Sequence, residues 1–327
     1  MISSDIQPYI EGVLRHDRRM ISKTITLIES ALPAHKKAAR LVVDQLLPHT
    51  EKAIRLGITG VPGAGKSTFI EALGMLLVKK GYSVAVLAVD PSSIRSGGSI
   101  LADKTRMEKL SVEKNAFIRP SPSGGTLGGV ASKTRETMLV CEAAGFDVVI
   151  VETLGSGQSE VAVASMVDFF LMLMISGAGD ELQGMKKGVL ELVDAIAINK
   201  ADGDNIQRAD FARKQCEAAL HFSIPLSPNW SPPVLKCSAL NLTGIHEIWD
   251  TVLEHRKKLS STGELEMKRE KQTLDWMWFL VKEGLVEWFY KNPYAKKIVP
   301  KIEKEVEEGT ITPTAAAEKL LFFLDDK

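Results

Sequence analysis

Gly60-Val61-Pro62-Gly63-Ala64-Gly65-Lys66-Ser67, followed by Thr68, has the form G-x-x-x-x-G-K-S, and its reading decides the fold. An apolar strand-like run, Ile54 to Thr59, leads in, and a helical pattern from Phe69 to Val78 leads out. In that setting the glycines let backbone N–H groups close around phosphate oxygens, and the helix adds the positive end of its dipole. Lys66 is expected to reach the β- and γ-phosphates of a nucleoside triphosphate, and the Ser67 hydroxyl to ligate Mg²⁺. The plain alternative, a Gly-rich turn between strand and helix, does not require all four fixed positions.

Outward from this loop, apolar runs alternate with helical stretches. The runs are Ile54–Thr59, Ser83–Val89, Ala116–Pro120, Asp147–Val151, Phe169–Ile175, Ala195–Asn199 and Val234–Ser238. Several are continuous Val/Ile/Leu segments, as suits strands buried on both faces of a parallel sheet. The expectation is a doubly wound, mostly parallel α/β fold of the P-loop NTPase kind, with ligand loops at the carboxyl ends of strands. Residues 1–50 read as an N-terminal helical extension, with Ile21, Ile25 and Ile28 on one face. Residues 51–260 form the α/β domain, and 261–327 a C-terminal helical arm. In the arm, Leu274, Trp278, Val281, Leu285 and Trp288 repeat at 4-3-4-3 spacing. That stripe suits packing against its own domain or against a partner helix in a dimer.

Bulk properties exclude several classes. Lys plus Arg and Asp plus Glu number 41 each, so no net field favours nucleic acid or an anionic membrane. Cys141, Cys216 and Cys237 lack paired spacing, which fits a reducing compartment. The start, Met-Ile-Ser-Ser-Asp-Ile, has no basic region followed by an apolar segment, and no run approaches the roughly 18 apolar residues of a membrane span. A cytoplasmic protein without nucleic-acid or membrane partners is expected.

Further motifs narrow the chemistry. Asn199-Lys200-Ala201-Asp202 follows the Ala195–Ile198 run and has the N-K-x-D form of guanine sites. The Asp202 carboxylate can accept from guanine N1–H and the 2-amino group, a donor pair adenine lacks. The Lys200 stem can cover the base plane. Cys237-Ser238-Ala239-Leu240 follows another strand and resembles the Ser-Ala loop that completes guanine binding.

Asp147-Val-Val-Ile-Val-Glu152 is an apolar run ending in a carboxylate, as needed to hold the magnesium shell from the second side. Glu152-Thr153-Leu154-Gly155 resembles the D-x-x-G loop that senses the γ-phosphate, with Gly155 offering a peptide N–H. Asp90, at the end of its strand, and Asp103, within Gly97–Arg106, are expected to face magnesium waters or the attacking water. Gln158 stands three residues beyond Gly155, farther than the water-orienting Gln of Ras-like GTPases, and is the remaining catalytic candidate. Gly177–Gly188 reads as a polar, Gly-rich connector placed to move.

Together these residues closely resemble the MeaB/ArgK family of P-loop GTPases over roughly Met20 to Gly263. The most specific strings are Gly60–Thr68, Val89-Asp-Pro-Ser-Ser93, Gly97–Met107, Arg119–Gly129, Val151–Glu160 and Gly179–Gly184. The family string usually has Val where this chain has Leu154 and Ser156, mild changes that leave the carboxylate and glycine positions intact. The resemblance implies a homodimer formed through helical extensions and a chaperone of adenosylcobalamin-dependent methylmalonyl-CoA mutase. It further implies gating of cofactor loading, rescue of the inactivated mutase, and switch loops at Gly97–Met107 and Glu152–Glu160. The alternative is a metal-delivery GTPase of the nickel-insertion type, which needs clustered Cys and His ligands. The six histidines are dispersed and no C-x-x-C occurs. A kinase using the same phosphate loop is a third reading.

Overall fold

A computed structural model of the chain describes residues 6–90, 107–122, 127–153, 159–177, 187–221 and 226–322. It divides into two compact units, Met1–Arg269 and Glu270–Lys327.

The first unit is built on β1 (Ile54–Gly60), β2 (Val84–Asp90), β3 (Ala116–Pro122), β4 (Val148–Glu152), β5 (Phe169–Ile175), β6 (Ala195–Asn199) and β7 (Val234–Lys236). All seven expected strands are present, Phe169–Ile175 and Ala195–Asn199 with the expected ends and the other five with an end displaced by one or two residues. They form one parallel sheet in the order β3-β2-β4-β1-β5-β6-β7. The chain winds outward on one side through β2 and β3, returns to β4, then crosses β1 to build β5, β6 and β7. That reversal leaves the carboxyl end of β1 flanked by those of β4 and β5, where the doubly wound architecture puts its ligand crevice.

Among the described residues, α1 (Gln7–Leu14), α2 (Arg18–Glu29) and α3 (Pro33–Leu46) precede the sheet, with a short 3-10 turn at Leu47–His49. Asp17 starts α2 by accepting from the backbone N–H groups of Arg19 and Met20 at 2.8 and 3.2 Å. Among the strands lie α4 (Lys66–Lys79), α5 (Glu108–Ser111), α6 (Leu127–Ala143), α7 (Ser159–Ala164), α8 (Lys187–Leu190) and α9 (Ile206–His221), and α10 (Ile245–Thr262) follows β7. Strand residues alternate between two cores, as a period of two requires. Val149, Val151, Phe170, Met172, Ile196 and Ile198 face a core shared with α1–α3 and α6. Val148, Ile150, Phe169, Leu171, Ala195 and Ala197 face a core shared with α4, α5 and α10. Ile21, Ile25 and Ile28 of α2 are fully buried in the first of these, as their spacing predicts. Full burial of such side chains contributes about 1.5–3 kcal/mol each, so both faces hold the sheet firmly.

The chain passes into the second unit within α11 (Glu264–Lys291) and continues through α12 (Pro293–Glu307) and α13 (Pro313–Phe322). Asn292 caps α12, accepting from Tyr294 N–H at 2.8 Å, with Pro293 at the first helical position. α12 and α13 pack together, and Ala295 and Ile302 of α12 and Ala316 of α13 are buried. The expected stripe lies on α11 and is open to solvent in the single chain: Leu274, Trp278, Val281, Leu285 and Trp288 are 41–59% exposed. Among the described residues no helix is long and apolar enough to cross a membrane.

Candidate active site

Three chain segments meet at the carboxyl edge of the sheet. The first is the loop from β1 into α4. Gly60 has φ +150°, and any Cβ there would sit against the carbonyl oxygen of Leu173, its register partner on β5. Glycine therefore lets the loop leave the sheet while β1 and β5 stay paired. Gly65 has φ +84°, and a Cβ there would come within 2.8 Å of the Asn199 side-chain nitrogen. The loop closes with Ala64 N–H donating to Val61 O at 3.1 Å, and α4 begins with Phe69 N–H donating to Gly65 O at 2.9 Å. Pro62, Gly63 and Thr68 are exposed and Ala64 is buried. The Lys66 ammonium folds back over the loop, donating to the carbonyls of Gly60 at 2.7 Å and Val61 at 3.3 Å. A concave run of backbone N–H groups, a helix N-terminus and a cation at the rim can together take a polyanion.

The end of β4 is the second segment. Ile58 of β1 is in register with Glu152, whose carboxylate accepts from the Ser67 hydroxyl at 3.1 Å. One residue on, Thr153 donates its backbone N–H to Ile58 O at 2.9 Å and its buried hydroxyl to that of Thr59 at 2.8 Å. Glu152 is thus held beside the helix start by two bonds to the adjoining strand. Ser67 and Glu152 supply hard oxygen atoms, the donor type a magnesium ion prefers.

The third segment joins the ends of β6 and β7. Asn199 is buried and serves both partners: its Nδ2 donates to Ala64 O at 2.8 Å, and its Oδ1 accepts from Ala239 N–H at 3.1 Å. The Cys237 thiol also points to Asn199 Oδ1 at 3.6 Å, and burial pushes that thiol up to about 12, which keeps it a neutral donor. Ala201 N–H donates to Cys237 O at 3.0 Å, bringing the two loops together. The Ser238 hydroxyl donates to the Asp202 carboxylate and accepts from Asn241 N–H at 3.0 Å, so it orients that carboxylate. Leu240 is 80% exposed on the turn.

Lys66, Ser67, Glu152, Asn199, Asp202, Ser238 and Ala239, separated by up to 173 positions in the chain, are therefore linked through the loop, strand-end and turn contacts above. Asp90 ends β2 two positions beyond Ala88, the register partner of Glu152, while its side chain lies outside the described residues. Asp103, Gly155 and Gln158 also lie outside them, as do residues 178–186 of the Gly177–Gly188 connector. Sequence reasoning missed the Thr59–Thr153 hydroxyl pair and Asn205, whose Nδ2 donates to Lys200 O at 2.6 Å. Thr59 at the end of one apolar run, and Thr153 just past the carboxylate that closes another, were the available signal for the first. The second could be sought in the Asp202-Gly-Asp-Asn205 turn.

Comparison with known proteins gives a consistent answer. The family model described as methylmalonyl-CoA mutase-associated GTPase MeaB matches residues 21–294. A protein of Mycobacterium tuberculosis named as a probable GTPase is 51% identical over 305 residues, 93% of this chain and 91% of that one. GTPase ArgK of Escherichia coli is 46% identical over 315 residues, 96% of this chain and 95% of its own. A crystal structure described as that of an LAO/AO transport system kinase matches with a TM-score of 0.81 at 38% identity, covering 99% of both chains. The phosphate loop, the N-K-x-D segment and the seven strands all fall inside the span the family model covers. The chain belongs to the MeaB family of methylmalonyl-CoA mutase-associated GTPases and is a guanine-nucleotide-binding GTPase.

Proposed function

We propose that this GTPase acts as a chaperone of an adenosylcobalamin-dependent acyl-CoA mutase of the methylmalonyl-CoA type, using GTP hydrolysis to gate cofactor loading and to protect or reactivate the mutase. The family name supports the mutase as partner. The single observation that carries the nucleotide half of the reading is Asn199, which bridges the phosphate loop and the loop after β7. Through it, one buried side chain joins the base-side turn to the phosphate loop.

In this reading the triphosphate lies along residues 60–68, and Lys66 exchanges its two carbonyl acceptors for β- and γ-phosphate oxygens. The loop N–H groups spread the charge that grows in the transition state as water attacks in line. Asp202 and Lys200 select guanine, and Ser238 keeps the Asp202 carboxylate facing the base edge. Ser67 and Glu152, with Asp90 and Asp103 as further candidates, would hold Mg²⁺, which supplies charge neutralisation across the phosphates. Gly155 and Gln158 complete the γ-phosphate side.

The exposed stripe on α11 supports a homodimer formed through the C-terminal arm. Five large apolar residues at helix-pairing spacing are costly to leave in water. The reading is tested by loading the purified mutase with adenosylcobalamin, followed by absorbance, with this protein and either GTP, GDP or a non-hydrolysable GTP analogue. Loading rates indifferent to the nucleotide would end the gating proposal. The 38% identical structure is that of a protein called a kinase, which favours a second reading, phosphate transfer to an acceptor other than water. One inorganic phosphate released per GTP consumed, without any labelled acceptor, decides against it. The nickel-delivery alternative requires stoichiometric, tightly bound nickel or zinc in the purified protein.

A further inference from the structure

We infer that Asn205 is a positioning residue for the base pocket, holding the backbone of Lys200 and Asp202 in the conformation that presents their side chains to guanine. The inference rests on the proposed reading of Asn199–Asp202 as the base-recognition segment and deepens it.

Lys200 has φ +59°, the left-handed region that a residue with a Cβ enters only when its surroundings force it. Asn205 supplies that constraint twice. Its Nδ2 donates to Lys200 O at 2.6 Å, and its backbone N–H donates to Asp202 O at 3.0 Å. Two of the carbonyls in the N-K-x-D segment are thus fixed by one residue. The side chain also reaches outward: Asn205 Oδ1 accepts from the Ser176 hydroxyl at 2.6 Å. A carbonyl can only accept, so the amide nitrogen must face Lys200, and the amide oxygen is left for the hydroxyl. Both ends of the planar amide are engaged in a defined sense.

Ser176 directly follows β5, and Ile175 at the end of β5 is the register partner of Asn199 at the end of β6. The recognition turn is therefore tied to the neighbouring strand. A merely local turn would close on its own backbone and would not use Ser176, which lies 29 positions earlier. The contact stabilises one particular setting of the Lys200–Asp202 backbone, the setting on which base reading depends.

The test uses the full chain and measures Kd for GDP and for IDP, which lacks the 2-amino group that Asp202 reads. Asn205→Asp keeps the size and the acceptor toward Ser176 but removes the donor to Lys200. It should lower the preference for GDP over IDP about tenfold, the effect of one displaced hydrogen bond beside a carboxylate. Ser176→Ala leaves the Lys200 bond in place and should lower the preference by about threefold. Equal weakening toward both nucleotides, with the preference intact, overturns the inference and leaves Asn205 a structural residue. If Asn205→Asp does not fold, Ser176→Ala decides, and an unchanged preference there overturns the inference. Asp202→Asn runs in parallel. If that variant keeps the parental preference, the reading of the pocket fails; if it loses the preference while Asn205→Asp keeps it, only the positioning role fails.

Discussion

Arg269 grips both carboxylate oxygens of Asp168, Nε to Oδ1 at 2.8 Å and Nη2 to Oδ2 at 2.7 Å. Asp168 immediately precedes β5, accepts from Arg55 N–H at 2.9 Å and lies 3.9 Å from Arg256. Arg269 also donates to the carbonyl of Ala53 at 2.8 Å, so it fastens the start of α11 beneath β1 and β5, at the sheet edge opposite the phosphate loop. Removing one partner of a buried pair costs about 3–5 kcal/mol because a charge is left unmatched. Asp168→Ala leaves Arg269 its carbonyl acceptors, so the loss should be about 3 kcal/mol, at the low end of that range. Urea denaturation checks this, and a midpoint equal to the parent's would show the pair to be energetically idle.

Acid should weaken the fold through the same cluster. Burial alone would raise the pKa of Asp168, but the hydrogen bond and charge of Arg269, with the charge of Arg55, outweigh it and hold the carboxyl below the ordinary range. Burial likewise opposes Asp194, where Lys268 and His255 overcome it. In the unfolded chain both carboxyls take up a proton near pH ~3.9, before they do so in the folded one. Their stabilisation is therefore fully present above about pH 5 and is lost as pH falls through the depressed folded values. Unfolding free energies measured from pH 7 downward should fall steeply below about pH 4, and Asp168→Asn should flatten that limb. An acid limb identical in parent and variant would remove Asp168 from the account.

The strands were legible because a parallel strand covered on both faces needs apolar residues at odd and even positions alike. Val148–Val151 and Phe169–Ile175 show that as unbroken apolar runs, and each lies in a strand whose ends agree within one residue. The phosphate loop and N-K-x-D were legible because their geometry demands fixed residue types at fixed spacing. The long-range polar pairings were not. Arg55 stands within an otherwise apolar run and Glu142 within a helix, and nothing local says they form a bidentate pair at 2.6 and 2.9 Å. The Asn205–Ser176 contact is hidden for the same reason, since it depends on β5 lying next to β6.

Lys66→Ala should abolish useful turnover and leave the fold standing. The ammonium is half-buried, and the loop carbonyls of Gly60 and Val61 that accept from it can be served by water in its absence. Loss of a charge aimed at the transition state costs about 100- to 1000-fold in kcat. Phosphate release at the parental rate would count against residues 60–68 as the phosphate site, whereas a large drop in melting temperature would show a structural role for the lysine.

Ser238→Ala removes the hydroxyl that links Asp202 to Asn241. The carboxylate then loses one of the bonds that aim it, at a cost of about 1 kcal/mol. GDP affinity should fall about fivefold, with kcat little changed, because the hydroxyl acts on the base side alone. Calorimetric titration checks it, and an unaltered Kd would show that Asp202 needs no such support.

Gly65→Ala probes the joint between the two halves of the site. The left-handed backbone at Gly65, φ +84°, costs a substituted residue about 1–2 kcal/mol. A second cost comes from the Asn199 side-chain nitrogen, only 2.8 Å from the added methyl. Asn199 would have to withdraw, giving up its bond to Ala64 O. The same substitution made in an Asn199→Ala background meets no such nitrogen, so only the backbone cost remains. Thermal or urea unfolding of the four proteins in the cycle should yield a coupling of about 1 kcal/mol between the two positions. Strict additivity would mean that Gly65 is required for its backbone conformation alone and that the loop tolerates movement of Asn199.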